Sequence, residues 1–276
     1  MEIINQYSFH YDDPHKKTRP AARGIVIRDG KILLTYEKRN DVYMSPGGGR
    51  EEGESFPECC AREIKEESGY DALVKEPFAV VNEYCFDTCY AAHYFLCDVT
   101  GEGEPHLTPT EIDHGVCPRW LPVNDAIEVF SHYDEKTEDH RSLYLREYTI
   151  LNKYVEYQKR KELANSFLGK NVNITVDRPI GFQKKTGNSI MTYPVNYGFI
   201  PGVFSADKEE LDVYLLGVDT PVKEYTAKII GIAHRRNDNE DKLIAAPEEM
   251  SFSGEEIKNQ IDFQEQYFDT VIEVLS

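Results

Sequence analysis

The sequence predicts a mixed α/β protein of two domains, a layered α/β sandwich followed by a small β-barrel that ends in a helix. The chain has 276 residues, more than one hydrophobic core usually holds. Its first half mixes strand-like runs with helical patterns, which is typical of a layered sandwich. Its second half consists of short strands divided by glycine and proline, with one helical pattern near the end, and this favours a barrel.

Composition and charge exclude several classes of partner. The chain carries 31 basic and 49 acidic residues, a net charge of −18, so phosphate polymers and anionic lipid surfaces would be repelled. We therefore expect no nucleic-acid polymer and no membrane partner, whereas a small anion can bind if a divalent cation reverses the local charge. No run is long enough to span a membrane, and the start of the sequence does not resemble a signal peptide. The six cysteines do not form a disulfide framework, which predicts a cytoplasmic location.

The first half reads as strands with a few helices. Residues 21–28 and 31–36 are strand-like and are joined by Asp29-Gly30, a hairpin signal. We predict further strands at 41–45, 78–84, 90–99 and 119–123, a loop at 100–113, a helix capped by Asn124, and a longer helix that runs to about residue 163.

One stretch in this half combines a glycine-rich loop with a capped helix. Gly47, Gly48 and Gly49 let the backbone turn tightly and pass close to a ligand. Ser55 followed by Glu58 predicts a capping box at the start of the helix. Gly69 predicts its end, because the residue after a helix often needs a positive φ.

The same helix carries a cluster of carboxylates. Glu63, Glu66 and Glu67 are three and four residues apart and share one face, and Glu54 lies just before the helix. Another face is apolar, with side chains at positions 56, 60 and 64, and must pack against a core. Carboxylates so close together repel one another unless a cation lies among them. A solvated acidic face is the simpler alternative, but the three glycines and the apolar stripe argue against it.

This stretch resembles the Nudix box throughout. Gly48 is followed at the family's spacing by Glu54, and residues 62–70 read Arg-Glu-Ile-Lys-Glu-Glu-Ser-Gly-Tyr. The resemblance covers roughly the first 160 residues and implies an α/β/α sandwich. It also implies hydrolysis of a nucleoside diphosphate derivative, with Glu54, Glu63, Glu66 and Glu67 holding magnesium or manganese. By the same resemblance Arg62 orients a box glutamate, and the glycine loop binds phosphate.

The sequence does not identify the residue that acts as the general base. Some Nudix enzymes take it from a loop before the last strand, where this chain has Glu111. A solvated loop residue is the simpler interpretation of Glu111. The histidines at positions 93, 106 and 114 have no distinguishing pattern either.

The second half begins after a charged helix end that becomes polar. We predict a first domain of residues 1–167 and a second domain of residues 168–276. Strands are predicted at 172–176, 193–200, 211–218 and 225–234, with a closing helix around 257–268.

Four segments of this half resemble soluble, magnesium-dependent inorganic pyrophosphatases, whose fold is an oligonucleotide-binding (OB) type barrel. They are Tyr-Pro-Val-Asn-Tyr-Gly at 193–198, Asp-Lys-Glu-Glu-Leu-Asp at 207–212, Asp-Asn-Glu-Asp-Lys at 238–242, and the closing helix at 260–267. The resemblance implies metal binding by four aspartates and phosphate binding by two tyrosines and a lysine. These residues are Asp207, Asp212, Asp238 and Asp241 for metal, and Tyr197, Lys242 and Tyr267 for phosphate.

This half also departs from the family pattern. Glu209 stands where the family has the central aspartate that helps to generate the nucleophilic hydroxide. Gly181 and Phe268 stand where the family has phosphate-binding lysines. Because diphosphate hydrolysis needs cationic groups as well as metal, an active pyrophosphatase and a retained binding or assembly module both stay open.

The motifs leave three hypotheses about function. In the first, the first half cleaves a nucleoside triphosphate or another nucleoside diphosphate derivative, and the second half hydrolyses released inorganic pyrophosphate. In the second, the substrate is ADP-ribose or a sugar nucleotide, and the second half serves in binding or in a homodimer. The third is a non-catalytic ligand sensor, against which the complete set of box glutamates argues.

Overall fold

The computed structural model describes residues 2–11, 15–187, 189–205, 208–238 and 240–275. The chain divides into two compact units, residues 1–153 and 154–276, and each is described separately below. Among the described residues, none of the helices is both long enough and apolar enough to cross a bilayer.

The first unit is built on a mixed sheet of eight strands. They are β1 (Glu2–Tyr11), β2 (Lys17–Arg28), β3 (Lys31–Glu37), β4 (Val42–Met44), β5 (Gly47–Gly49), β6 (Tyr70–Phe86), β7 (Thr88–Glu102) and β8 (Val116–Pro122). The strand order is β1-β6-β7-β2-β3-β4, with β5 paired to β2 and β8 paired to β3. Strand β1 runs parallel to β6, and β2 runs parallel to β7.

Helices cover both faces of this sheet. The α-helices in the described part of the chain are α1 (Phe56–Ser68), α2 (Pro109–His114), α3 (Val123–Ser131), α4 (Glu138–Asn165) and α5 (Gly254–Glu265), of which α5 belongs to the second unit. On one face, Cys60 and Ile64 of α1 pack with Val26 and Phe95 of the sheet. On the other face, α4 reaches the sheet through a buried hydrogen bond from Tyr94 to Glu147. The first unit therefore has the α/β/α layering that the resemblance implied.

Several local predictions in this unit were wrong. Strand β1 was not predicted, because its side chains alternate at the edge of the sheet and several stay exposed. The expected loop at 100–113 instead continues β7 to Glu102 and forms α2. The cap predicted at Asn124 is absent, since α3 begins at Val123 and follows Pro122 without a side-chain cap.

The strands of the second unit are β9 (Asn171–Arg178), β10 (Gln183–Thr186), β11 (Ser189–Thr192), β12 (Asn196–Phe204), β13 (Glu210–Leu215), β14 (Glu224–Arg235), β15 (Asp241–Ala246) and β16 (Thr270–Val274). Five of them, β9, β12, β13, β14 and β15, form a closed barrel. Their pairing runs β15-β13-β12-β9-β14, and β14 pairs with β15 to close the ring. A further strand, β16, pairs with β14 outside the ring, and β10 forms a separate hairpin with β11.

Side chains on the two faces of the barrel wall form two cores. Val213 and Leu243 belong to the first core, together with Ala164 near the end of α4. Their sequence neighbours Tyr214 and Ile244 point the other way, because side chains alternate along a strand. They pack in the second core with α5. This alternation decides which polar side chains of β13 and β15 can meet.

Candidate active site

The glycine loop of the first unit runs as β5 along β2 and against the carboxylates of α1. Gly47 pairs with Arg23, and Gly49 pairs with Ala21. Gly47 has a φ of 150°, and a Cβ there would lie 2.2 Å from a carbonyl oxygen of β2. A Cβ on Gly48 would lie 2.6 Å from the carboxylate of Glu63. Gly47 therefore needs to be glycine for the loop to pair with β2, and Gly48 leaves room for the Glu63 carboxylate beside the loop backbone.

Helix α1 begins and ends as the sequence predicts. Ser55 accepts a hydrogen bond from the backbone N–H of Glu58, and the Glu58 carboxylate accepts one from the Ser55 N–H. Gly69 ends the helix in the left-handed conformation, with a φ of 79°. Both caps satisfy backbone groups that a helix end leaves unpaired, so the orientation of the glutamates on α1 is well defined.

Arg62 draws three of the four predicted glutamates together. Its Nε donates to Glu54 Oε1 at 2.8 Å, and its Nη2 donates to Glu54 Oε2 at 3.0 Å. Its Nη1 donates to Glu63 Oε1 at 2.8 Å and to Glu66 Oε2 at 3.0 Å. Hydrogen bonds from Arg62 hold the pKa of Glu54 at about 2. Glu54 is consequently ionised throughout the physiological pH range.

Glu67 lies apart from this cluster and is buried. Its side chain belongs to a residue only 9% exposed, and its Oε2 accepts a hydrogen bond from the backbone N–H of Gly47 at 3.0 Å. Burial raises the pKa of Glu67 to about 8. Burial also raises the pKa of Glu63, against the opposing effect of Arg62. The box therefore contains carboxylates in two electrostatic environments, one held ionised by an arginine and one poorly solvated.

The donor set of this site fits a hard divalent cation. Four carboxylates supply only oxygen ligands, which magnesium and manganese prefer. Within the described parts of the chain, however, no three His, Cys, Asp or Glu side chains converge as a formed metal site. Arg62 forms ion pairs with three of the four carboxylates. A bound cation would compete with its guanidinium for the same oxygens.

A buried polar network behind the glycine loop was not found from the sequence. Arg23 Nη1 donates to the carbonyl of Ser45 at 2.8 Å. Ser45 Oγ donates to Glu147 Oε2 at 2.6 Å, and Tyr94 donates to Glu147 Oε1 at 2.8 Å. These contacts fix the chain immediately before Pro46. Ser45 and Glu147 are 102 residues apart in the sequence, so no local spacing could indicate the contact.

Glu111 has a capping role on α2. Its Oε2 accepts hydrogen bonds from the backbone N–H of Thr108 at 2.6 Å and from the Thr108 hydroxyl at 2.8 Å. Its charge contributes to raising the pKa of Glu67, so the two carboxylates lie within electrostatic range. Glu111 is therefore a helix-capping residue near the box.

In the second unit, three predicted residues come together at the ends of β12, β13 and β15. The Tyr197 hydroxyl donates to Asp212 Oδ2. The Lys242 ammonium donates to the same Asp212 oxygen and to Glu240. Lys242 is 2% exposed, so its charge is neutralised inside a buried ion-pair cluster. We call Asp212, Lys242, Tyr197 and Glu240 the barrel cluster.

The structure places Asp241 outside the barrel cluster. Asp241 Oδ2 lies 3.0 Å from His234 Nδ1, and its Oδ1 lies 3.3 Å from Arg160 Nε. Lys242 points to the opposite face of the strand, because successive side chains alternate. Glu240, two residues from Lys242, lies on the lysine's side and accepts a hydrogen bond from it. The alternation of β15 was the signal in the sequence that could have identified it.

The remaining predicted residues of the second unit make no direct contact with Asp212 or Lys242 among the described hydrogen bonds and ion pairs. Asp238 Oδ2 accepts a hydrogen bond from Arg235 Nη1 at 2.9 Å. Glu209 is exposed, and Tyr267 is 67% exposed. Asp207 lies outside the described residues.

Two family models match the chain, one for each unit. The NUDIX domain model matches residues 17–146, and the inorganic pyrophosphatase model matches residues 152–273. The first unit thus combines an α/β/α sandwich with a set of glutamates on and beside one capped helix. The chain therefore contains a NUDIX domain match followed by an inorganic pyrophosphatase match, and each accounts for somewhat less than half of its length.

Known proteins resemble parts of the chain. A Bacillus subtilis protein named "Putative ADP-ribose pyrophosphatase YjhB" is 38% identical over 33% of this chain and 46% of its own length. The ADP-ribose pyrophosphatase of Methanocaldococcus jannaschii is 43% identical over 22% of this chain and 37% of its own length. The chain thus spans less than half the length of these two relatives. A solved NUDIX hydrolase from Nitrosomonas europaea covers 39% of this chain and 74% of its own, at 23% identity and a TM-score of 0.34.

Proposed function

We propose that the first unit is a magnesium- or manganese-dependent hydrolase that cleaves a phosphoanhydride bond in a nucleoside diphosphate derivative. The observation that carries this proposal is the Arg62 cluster, in which Glu54, Glu63 and Glu66 surround one guanidinium beside a glycine loop. So many carboxylates on one short helix are unfavourable without a cation, and oxygen ligands suit a hard metal that also binds phosphate.

Each of these residues has a distinct part in the proposed reaction. A divalent cation held by Glu54, Glu63, Glu66 and Glu67 would neutralise phosphoryl charge and activate a water molecule. Arg62 is a positioning residue, because its hydrogen bonds orient the carboxylates of Glu54, Glu63 and Glu66. The backbone of the glycine loop passes beside the Glu63 carboxylate, so a diphosphate bound along the loop would lie next to the proposed metal ligands. Glu67 holds a proton at neutral pH in the metal-free protein, since burial raises its pKa to about 8.

We further propose that the second unit binds inorganic pyrophosphate through a metal and hydrolyses it. Asp212 and Glu240 are the proposed metal ligands of the barrel cluster, and Tyr197 and Lys242 are the proposed phosphate contacts. Asp207, Asp238, Glu209 and Tyr267 stay candidates from the family resemblance. We interpret Asp241 as a structural residue, because His234 and Arg160 engage both of its oxygens.

Two substrate classes have specific support. The pyrophosphatase family match of the second unit favours a nucleoside triphosphate, since its cleavage to monophosphate releases pyrophosphate that the second unit could remove. The names of two relatives favour ADP-ribose. Identification of the products by mass separates them, because ADP-ribose yields a sugar phosphate and no pyrophosphate.

Point variants of each unit test the proposal. Purified protein with magnesium is incubated with nucleoside triphosphates, ADP-ribose or pyrophosphate, and the products are quantified. Glu66→Gln should lower nucleotide cleavage at least a hundredfold, whereas Glu52→Gln, the same change at an exposed position, should not. Asp212→Asn should abolish phosphate release from pyrophosphate and spare nucleotide cleavage. Unchanged nucleotide cleavage in Glu66→Gln would contradict the assignment of the first unit, and no phosphate release with any divalent metal would contradict that of the second.

A further inference from the structure

A β-bulge in the barrel wall brings two charged residues of β9 to the barrel cluster. Tyr197 pairs with Arg178, but the next residue, Gly198, pairs with Val176, so Asp177 is the extra residue. In a regular strand, Asp177 and Arg178 would point to opposite faces, whereas a bulge redirects side chains locally. Both residues lie near the cluster: the Arg178 guanidinium is 4.9 Å from the centre of the Tyr197 ring, and the charge of Asp212 contributes, after burial, to raising the pKa of Asp177.

Arg178 is held in place and still reaches solvent. Its Nη1 donates to the Tyr193 hydroxyl at 3.2 Å, and its Nε lies 3.6 Å from Asp177 Oδ2. Its side chain is 26% exposed. A guanidinium has five N–H donors, and it keeps its charge at every physiological pH. Arg178 can therefore donate to a ligand at the cluster without leaving its aromatic contacts.

Lys242 differs from Arg178 in its exposure and in the carboxylates that surround it. Its side chain is 3% exposed and lies between the carboxylates of Asp212 and Glu240. The two carboxylates neutralise the charge of the lysine, so the lysine attracts an incoming anion only weakly. An anionic ligand therefore needs a second cationic group in addition to a metal.

We propose that Arg178 is a phosphate-binding residue of the second unit, which donates to a terminal phosphate of a diphosphate whose divalent cation is held by Asp212 and Glu240. This rests on the proposed role of the second unit in binding pyrophosphate. Two parallel N–H groups of a guanidinium match two oxygens of a phosphate, and the contacts with the Tyr197 ring and the Tyr193 hydroxyl hold the group beside the cluster. The bulge at Asp177 thus supplies a cation at the position where the ligand arrives.

Calorimetric titration of the full chain with methylenediphosphonate in the presence of magnesium tests the inference. The parent protein and every variant carry Glu66→Gln, so that the box of the first unit contributes little to binding. Loss of binding in the added variant Asp212→Asn would show that the ligand binds to the second unit. Arg178→Met should weaken binding by about ten- to a hundredfold, since a hydrogen bond to a charged group is lost. Arg178→Lys should recover part of the affinity, and Lys258→Met, the loss of an exposed cation of α5, should change it less than twofold.

Titration with manganese alone separates a ligand contact from a structural role. Arg178→Met should bind manganese as tightly as its parent or more tightly, because a positive charge near the carboxylates is removed. Equal diphosphonate affinity in Arg178→Met and its parent would overturn the inference and leave the proposed role of the second unit intact. Equal losses of manganese and diphosphonate binding would also overturn it, since they would indicate a structural residue. No diphosphonate binding by the parent with magnesium or manganese would overturn the pyrophosphate role itself, and the inference with it.

Discussion

Replacing Glu67 with glutamine should stabilise the metal-free first unit at neutral pH. Glu67 is 9% exposed, and burial raises its pKa to about 8 from an ordinary value of 4.5. Above pH 4.5 the unfolded chain has released this proton, while the folded protein still holds it. Glutamine has the same shape, keeps an oxygen for the Gly47 N–H and needs no proton.

The size of the effect follows from the pKa difference. Between pH 5 and pH 8, the folded wild type binds one proton more than the unfolded chain, so its free energy of unfolding falls by about 1.4 kcal/mol per pH unit on account of Glu67. The stabilising contribution of the protonated carboxyl is complete below pH 4.5 and is lost as the pH rises towards 8. From pH 5 to pH 7, the stability of Glu67→Gln relative to wild type should therefore increase by about 3 kcal/mol.

Urea denaturation in the presence of a chelator measures this difference. Trp120 is the single tryptophan of the chain and packs against the core beneath α1, so its fluorescence reports on the first unit. Glu52→Gln, at an exposed position, is the matched control and should follow the wild type at each pH. Parallel stability curves for wild type and Glu67→Gln between pH 5 and pH 7 would refute the reasoning, because they would show that Glu67 is already ionised in the folded protein.

Three further predictions concern the loop and helix of the same site. Gly47→Ala should lower the free energy of unfolding by about 3 kcal/mol or more, because its Cβ would overlap a backbone carbonyl of β2. A urea midpoint equal to that of wild type, followed by Trp120 fluorescence, would contradict this. Ser55→Ala should lower it by about 1 kcal/mol through loss of the cap, and a change below about 0.3 kcal/mol would argue against a stabilising capping box. Arg62→Lys should lower kcat/KM at least tenfold, since an ammonium cannot donate to three carboxylates in the same geometry. The control Arg28→Lys should leave kcat/KM unchanged, and equal values for the two variants would contradict the positioning role of Arg62.

Local signals in the sequence were sufficient for the elements whose ends are determined by short-range chemistry. The capping box at Ser55 and the glycine at position 69 placed α1 to within a residue, because each acts on its own helix end. Strand β1 was missed because an edge strand needs no continuous apolar face, and its partner β6 is distant in sequence. The boundary predicted near residue 168, the cytoplasmic location and a homodimer stay predictions.

The sites were predictable to a different degree. The box glutamates are spaced along one helix, so their shared face follows from the helical period. The network of Arg23, Ser45 and Glu147 depends on contacts between distant segments and left no local pattern. In the second unit the motif led to Asp241, whereas the alternation of side chains along β15 brings Glu240 to Lys242.

The most direct test of the account is product analysis of wild type and Glu66→Gln with a panel of nucleoside diphosphate derivatives and magnesium. The account predicts that wild type cuts at least one of them between two phosphates, that a chelator stops the reaction, and that Glu66→Gln is at least a hundredfold slower. Products that retain an intact diphosphate, or equal rates for the two proteins, would contradict it.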